Sequence, residues 1–190
     1  LAYRMVEQRL AREAAQPLRE PEFVPCTEME HILDGARWAP SGDNTQPWRF
    51  EVLGERHLVV HGFDTRDTVV YDLQGHASQL ALGGLLETMD IAARGRGLRG
   101  EVRRREGLPE TTPTFDVKFS NIPPERHPLE FAIRARCTQR RPMSRRPLGL
   151  REREALAAAV GTGYRVIWME GQATLRKMAR LLFDNAEIRL

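Results

Sequence analysis

The 190-residue sequence has only two cysteines and no long apolar run. None of its apolar stretches approaches the roughly 18 residues that a membrane-spanning helix needs, so no membrane partner is expected. Cys26 and Cys137 lie far apart and the five histidines are scattered, which argues against a zinc site. The start, Leu1–Arg4, is polar within a few residues and does not resemble a signal peptide, so the expected location is the cytoplasm.

Lysine is also rare: it occurs only at positions 118 and 177, so 27 of the 29 Lys and Arg residues are arginine. The formal net charge of +3 is too small to indicate a nucleic-acid partner by itself. Arginine presents a planar fork that suits bidentate phosphate recognition, although most of these arginines are expected to lie on a solvated surface.

Helical and strand-like patterns are mixed along the chain. Thr27 and Glu30 form a capping box, and the helix that follows carries Met29, Ile32, Leu33 and Ala36 on one face. The patterns further predict helices at 3–16, 73–94, 129–136, 151–160 and from about 171, and strands at 48–53, 57–61, 99–104, 114–119 and 164–169. This mixed order predicts an α+β fold.

Residues 39–48 connect the first capped helix to the first strand, and they contain more prolines and polar side chains than such a connection needs. The run Ala-Pro-Ser-Gly-Asp-Asn-Thr-Gln-Pro-Trp holds two prolines, a glycine and four small polar side chains. A simple helix-to-strand connection takes only a few residues with a glycine or asparagine stop signal. The run therefore predicts a loop that shapes a binding site.

The same run resembles the flavin loop of the nitroreductase-like flavoproteins, whose motif is A-x-x-A-P-S-x-x-N-x-Q-P-W. The matching residues are Ala36, Ala39, Pro40, Ser41, Asn44, Gln46, Pro47 and Trp48. The segment Ile91–Leu98 is similar to the family's L-A-A-x-x-L-G-L segment. The resemblance implies a central, mostly antiparallel sheet flanked by long helices.

A second motif of that family is displaced in this chain. Family members open with R-x-S-x-R, which binds the FMN phosphate, about thirty residues before the loop. The first forty residues lack it, but a close version occurs at Arg136-Cys137-Thr138-Gln139-Arg140. The helix predicted at 151–160 follows it, and Gly161-Thr162-Gly163-Tyr164 stands where a second flavin loop is expected.

The two half-motifs imply an arrangement of fused units. Ordinary members are two-fold dimers in which one subunit supplies the phosphate motif and the other the loop. The chain resembles members in which two such units are fused, so residues 1–128 are interpreted as a first unit with the loop and residues 129–190 as the start of a second, incomplete unit. We therefore expect a pseudo-dimer within one chain, or a homodimer.

The resemblance implies an FMN site made of Pro40, Ser41, Asn44, Gln46, Arg136, Thr138 and Arg140. Alternate spacing places Arg136, Thr138 and Arg140 on one side of an extended segment, where guanidinium groups and a hydroxyl can bind phosphate. Ser41, Asn44 and the backbone at Pro40 are expected against the flavin ring, and Gln46 either binds flavin or braces the loop. His76 and Gln79 are expected on a solvated face rather than against the flavin. No residue is assigned as catalytic and none as a metal ligand.

Three functions remain open at the level of sequence. The first is an FMN-dependent oxidoreductase that takes electrons from NAD(P)H, its co-substrate, and passes them to a small-molecule acceptor such as a nitro compound or quinone. The second is a non-catalytic FMN-binding or FMN-storage protein. The third is an arginine-rich nucleic-acid-binding protein that uses the cluster at 134–146, whereas the first two require no nucleic acid.

Overall fold

A computed structural model describes residues 24–138, 141, 144 and 146–187. The predicted helix at 3–16 and the side chains of Gln139 and Arg140 lie outside these residues. The described helices are α1 (Glu28–Ala36), α2 (His76–Arg94), α3 (Ala132–Ala135), α4 (Leu150–Ala159) and α5 (Gln172–Glu187). The described strands are β1 (Trp48–Gly54), β2 (His57–Gly62), β3 (Leu98–Arg104) and β4 (Thr114–Asn121).

The start of α1 is fixed by the capping box that the sequence predicts. The Glu30 N–H donates to Thr27 Oγ1 at 3.2 Å, and Glu30 Oε2 accepts from the Thr27 N–H at 3.0 Å. These bonds satisfy amide groups that have no partner within the helix. The helix buries Met29, Ile32 and Ala36, three of the four residues predicted on its apolar face, and ends before Pro40.

The strands form one antiparallel sheet in the order β1-β2-β4-β3. Trp48, Phe50, Leu58, Val60, Val117 and Phe119 share the face that packs against α1 and α2. The opposite face is largely charged, and Asp116 there accepts from His57 Nε2 at 2.9 Å and from Arg105 Nε at 2.7 Å. This alternation of apolar and charged residues confirms the α+β fold and places the core between the sheet and the two helices.

Asp72 organises the entry to α2. Its carboxylate, almost fully buried, accepts from the Ala77 N–H at 2.9 Å, from Ser78 Oγ at 2.6 Å and from both the N–H and hydroxyl of Thr65 at 2.9 Å. Burial by itself raises the pKa of Asp72, but the hydrogen bonds from Ser78 and Thr65 outweigh it and hold the pKa well below its usual range. The carboxylate thereby ties the loop after β2 to the N-terminus of α2.

Two predictions for the C-terminal part were wrong. The helix expected at 129–136 is a single turn, Ala132–Ala135, preceded by turns. The strand expected at 164–169 does not form, because no other strand among the described residues pairs with it. Tyr164 and Ile167 are exposed instead, with no strand beside them among the described residues. The helices α4 and α5 form close to their predicted positions.

Candidate functional site

The loop between α1 and β1 is held in shape by its own polar groups. The Gln46 N–H donates to Ser41 Oγ at 3.1 Å, and Gln46 Nε2 donates to the Arg37 carbonyl at 3.1 Å. Asp43, Asn44 and Gln46 have positive φ angles of 45°, 57° and 46°. Asparagine and aspartate tolerate this left-handed region better than most residues do. Gln46 therefore braces the loop, which was one of its two predicted roles.

Glycine at position 42 allows the loop to approach Tyr71 closely. A Cβ added to Gly42 would lie 2.8 Å from Tyr71 Oη and 2.9 Å from its ring, closer than real Cβ contacts allow. At the two adjacent glycines inside α2, the surroundings leave room for a side chain. A Cβ on Gly84 would meet Pro40 at an ordinary 3.4 Å, and a Cβ on Gly83 would meet nothing within 4 Å.

The segment after α3 lies against this loop. Arg136 Nη2 donates to the Trp38 carbonyl at 3.1 Å. Arg136 has an extended backbone, with φ −62° and ψ 133°, as the predicted alternation of Arg136 and Thr138 requires. The two half-motifs, about a hundred residues apart in sequence, are thus brought together in space.

A cavity of about 470 Å³ opens between the loop and this segment. Of the seven predicted site residues, five line it: Pro40, Ser41, Asn44, Arg136 and Thr138. Gln46 lies behind the loop as its brace, and Arg140 lies outside the described residues. The volume falls within the range of roughly 300 to 1,000 Å³ that is common for ligand pockets.

Sequence reasoning missed four residues that shape this site. Arg37, Trp38 and Asp43 also line the cavity, and Asp34 contacts Arg37 from α1. Asp34 Oδ1 pairs with Arg37 Nε at 2.8 Å, and Asp34 Oδ2 accepts from Arg134 Nη2. An acidic residue in the last turn of a helix with arginine three positions later was the available signal, since these positions share a helix face.

His76 and Gln79 lie elsewhere. Both are exposed and line a separate open groove with Leu80, Gly83 and Gly84. The expectation of a solvated face for these two side chains is consistent with that position. Trp48, the last residue of the loop motif, is 4% exposed and belongs to the core.

The chemistry of the cavity suits a ligand that carries both a ring system and a phosphate. Arg136 and Thr138 supply a cation and a hydroxyl at one side, where charge-assisted hydrogen bonds to phosphate are strong. Pro40, Ser41 and Asn44 supply a braced wall with small polar groups at the other. The residues present therefore fit a flavin mononucleotide.

The chain is an α+β protein in which a braced loop connects a helix to the first strand and lines a cavity. Residues 11–98 match the sequence model of the Nitroreductase family. The match covers the loop, α1, β1, β2 and α2, and it ends before the segment that carries Arg136 and Thr138. No curated protein matches the chain.

This match confirms the resemblance that the loop motif indicates, and it points to a flavin-dependent oxidoreductase. No helix in the described part of the chain is both long and apolar enough to cross a membrane.

Proposed function

We propose that the chain is an FMN-dependent oxidoreductase of the nitroreductase type. It takes electrons from NAD(P)H and passes them to a nitro compound, a quinone or a similar small acceptor. The observation that carries the proposal is the cavity shared by the family's flavin loop and the Arg136–Thr138 segment. A loop alone supports flavin binding less well than a loop that faces a phosphate-type donor set.

The proposed division of labour follows the lining of the cavity. Arg136 and Thr138, with Arg140, hold the phosphate, while Pro40, Ser41 and Asn44 contact the ring system. Gln46 supports the site without contacting the flavin. Its side-chain amide donates to the Arg37 carbonyl, and its backbone N–H donates to Ser41 Oγ. Bound FMN supplies the hydride and electron chemistry, so the protein's task is to bind and orient it.

We further propose that one chain supplies both halves of the site. Residues 1–128 form a first unit and residues 129–190 the start of a second. The contact between Arg136 and the Trp38 carbonyl supports a pseudo-dimer within the chain over a homodimer. Light scattering of the flavin-loaded protein distinguishes the two: one chain for each particle is expected, and two chains with exchange of residues 129–190 would favour the homodimer.

A nucleic-acid-binding role is less well supported. Within the basic stretch, Arg134 pairs with Asp34, and Arg136 donates to the Trp38 carbonyl. Arg146 donates to both carboxylate oxygens of Glu152, at 2.8 and 2.6 Å. Guanidinium groups that are already bound within the chain contribute little to a free basic surface.

The test starts with the absorbance spectrum of the purified protein and titration of the colourless form with FMN. We expect a bound-flavin spectrum and oxidation of NADH or NADPH that depends on an added nitro compound or quinone. Flavin binding without turnover would favour the storage protein. A protein that stays colourless with added FMN would overturn both flavin hypotheses, and salt-dependent binding of an oligonucleotide would then favour the third.

A further inference from the structure

Asp34 is a buried carboxylate with more cationic partners than its charge requires. Its side chain is 9% exposed and lies in the last turn of α1, shortly before the loop in sequence. Arg37, on the same helix end, already pairs with Asp34 Oδ1 at 2.8 Å. Since one guanidinium balances one carboxylate, the second partner needs a separate explanation.

The second partner, Arg134, lies a hundred residues further along the chain. Its guanidinium binds Asp34 Oδ2 and also lies 5.9 Å from the centre of the Trp38 ring. Arg37 lies 5.3 Å from the same ring, so both cations contact one indole as well as one carboxylate. The side chain of Arg134 is nevertheless 54% exposed, which leaves the contact with Asp34 as its main tie to the first unit.

This contact lies directly before the proposed phosphate-binding residues. Arg136 is two positions after Arg134 and donates to the Trp38 carbonyl, and Thr138 is two positions further and lines the cavity. We infer that Asp34 is a positioning residue, which holds Arg134 and through it the Arg136–Thr138 segment against the loop, and so sets the affinity for the FMN phosphate. The inference rests on the proposed function for its ligand, although the contact itself does not.

Simple electrostatics predicts the opposite effect of removing the Asp34 charge. A carboxylate beneath an anion site repels phosphate, so Asp34→Asn should tighten FMN binding if long-range charge alone matters. Positioning predicts weaker binding, because a smaller fraction of molecules then holds the segment in the competent place. The sign of the change therefore separates the two explanations.

The experiment compares FMN with riboflavin, which lacks the phosphate, by flavin-fluorescence titration. For Asp34→Asn and Arg134→Gln we expect FMN to bind about fivefold more weakly and riboflavin to bind as in the wild type. The double variant should be no weaker than either single variant, because both changes break one link. Glu28→Gln is the matched control: it removes another ion pair of α1, with Arg96, away from the cavity, and should leave both affinities unchanged.

Hydrogen exchange without flavin tests the same inference independently. The Arg136 N–H donates to the Ala132 carbonyl at 2.9 Å, and amides of residues 132–138 should exchange faster in Asp34→Asn and Arg134→Gln than in the wild type. Unchanged exchange there overturns the positioning role, even if the wild type binds no flavin and the proposed function fails. Equal or tighter FMN binding, or equal weakening of FMN and riboflavin, also overturns it. If Asp34→Asn does not fold, Arg134→Gln decides by the same readouts.

Discussion

The core unit (residues 24–121) and the C-terminal segment (residues 129–187) both contain amphipathic helices, yet only the first buries them. In the core unit, Ile32 and Leu85 are at most 1% exposed between the helices and the sheet. In the C-terminal segment no described residue is buried, and Leu182 is 64% exposed. An amphipathic pattern thus predicts that a helix exists, but burial of its apolar face depends on a sheet or another partner.

The largest expected difference between the two regions is the loss of stability when a leucine is replaced by alanine. Leu85→Ala should destabilise the protein by about 2 to 5 kcal/mol, because it leaves a cavity in a closed core. Leu182→Ala, the matched change in α5, should alter the free energy of unfolding by less than about 0.5 kcal/mol. Urea unfolding followed by tryptophan fluorescence measures both. Comparable losses for the two variants would mean that α5 is packed in solution and would remove the contrast.

A second difference concerns carboxylates at helix starts. Asp72→Asn should lower the free energy of unfolding by about 1 to 3 kcal/mol. The buried carboxylate accepts several hydrogen bonds, and the asparagine side chain would place its NH₂ group against some of the same donors. The pKa of Asp72 is lowered by folding, so its stabilising effect is complete above its unfolded pKa of about 4 and is lost as the pH falls below it. Urea unfolding of wild type and variant from pH 7 to pH 2.5 should show the two free energies converging in acid.

The control for Asp72 is Glu152, at the start of α4. Arg146 and the Gly149 N–H lower the pKa of Glu152 to about 2, but this carboxylate is exposed and touches no core. Glu152→Gln should leave the unfolding of the core unit unchanged at pH 7. A pH-independent gap between wild type and Asp72→Asn would contradict the assignment of the acid loss to Asp72.

A third experiment tests how the C-terminal segment contributes to the core unit's loop. Arg136→Gln should weaken FMN binding by about tenfold or more, because a charge-assisted bond to phosphate is lost. Riboflavin affinity should not change. Arg146→Gln, in the same basic stretch but bound to Glu152, should bind FMN as the wild type does. Isothermal titration with both flavins measures this, and equal losses for the two arginine variants would indicate a diffuse charge effect.

The smallest expected effects concern helix propensity. Gly83→Ala in α2 places a Cβ where nothing lies within 4 Å and should stabilise the core unit by about 1 kcal/mol. Ala157→Gly in the exposed α4 should lower helix content in circular dichroism spectra without shifting the core unit's unfolding transition. A shift of that transition by Ala157→Gly would show that α4 and the core unit unfold together.

The sequence predicted the core unit well because its signals there are local. The capping box at Thr27, the alternation in β1 and the length of α2 depend on neighbours within a few residues. The strand expected at 164–169 did not form, because a strand needs a distant partner that the residue types of one segment do not identify. The sequence also did not predict the pairing of Asp34 with Arg134, because two residues separated by a hundred positions leave no periodic signal.

For the candidate site, the loop motif and the phosphate motif together identified five residues that line one cavity. What the motif did not reveal is the support beneath them. Trp38 occupies a variable position of the family motif, yet its carbonyl binds Arg136 and its ring lies beside two guanidinium groups. Such support depends on three-dimensional proximity rather than on the spacing of residue types.

During synthesis of the chain, the pair between Asp34 and Arg134 can form only after Arg134 has been added, long after Asp34. The loop is complete at Trp48, whereas Arg134 and Arg136 emerge only after nearly ninety further residues. At ribosomal rates of about 5 to 20 residues per second, that separation corresponds to a delay of roughly 5 to 20 s. Only in the last part of this interval, after Asn121 has completed the core unit, can the folded core unit present its loop without Arg136 and Thr138, and the cavity forms once these residues have emerged.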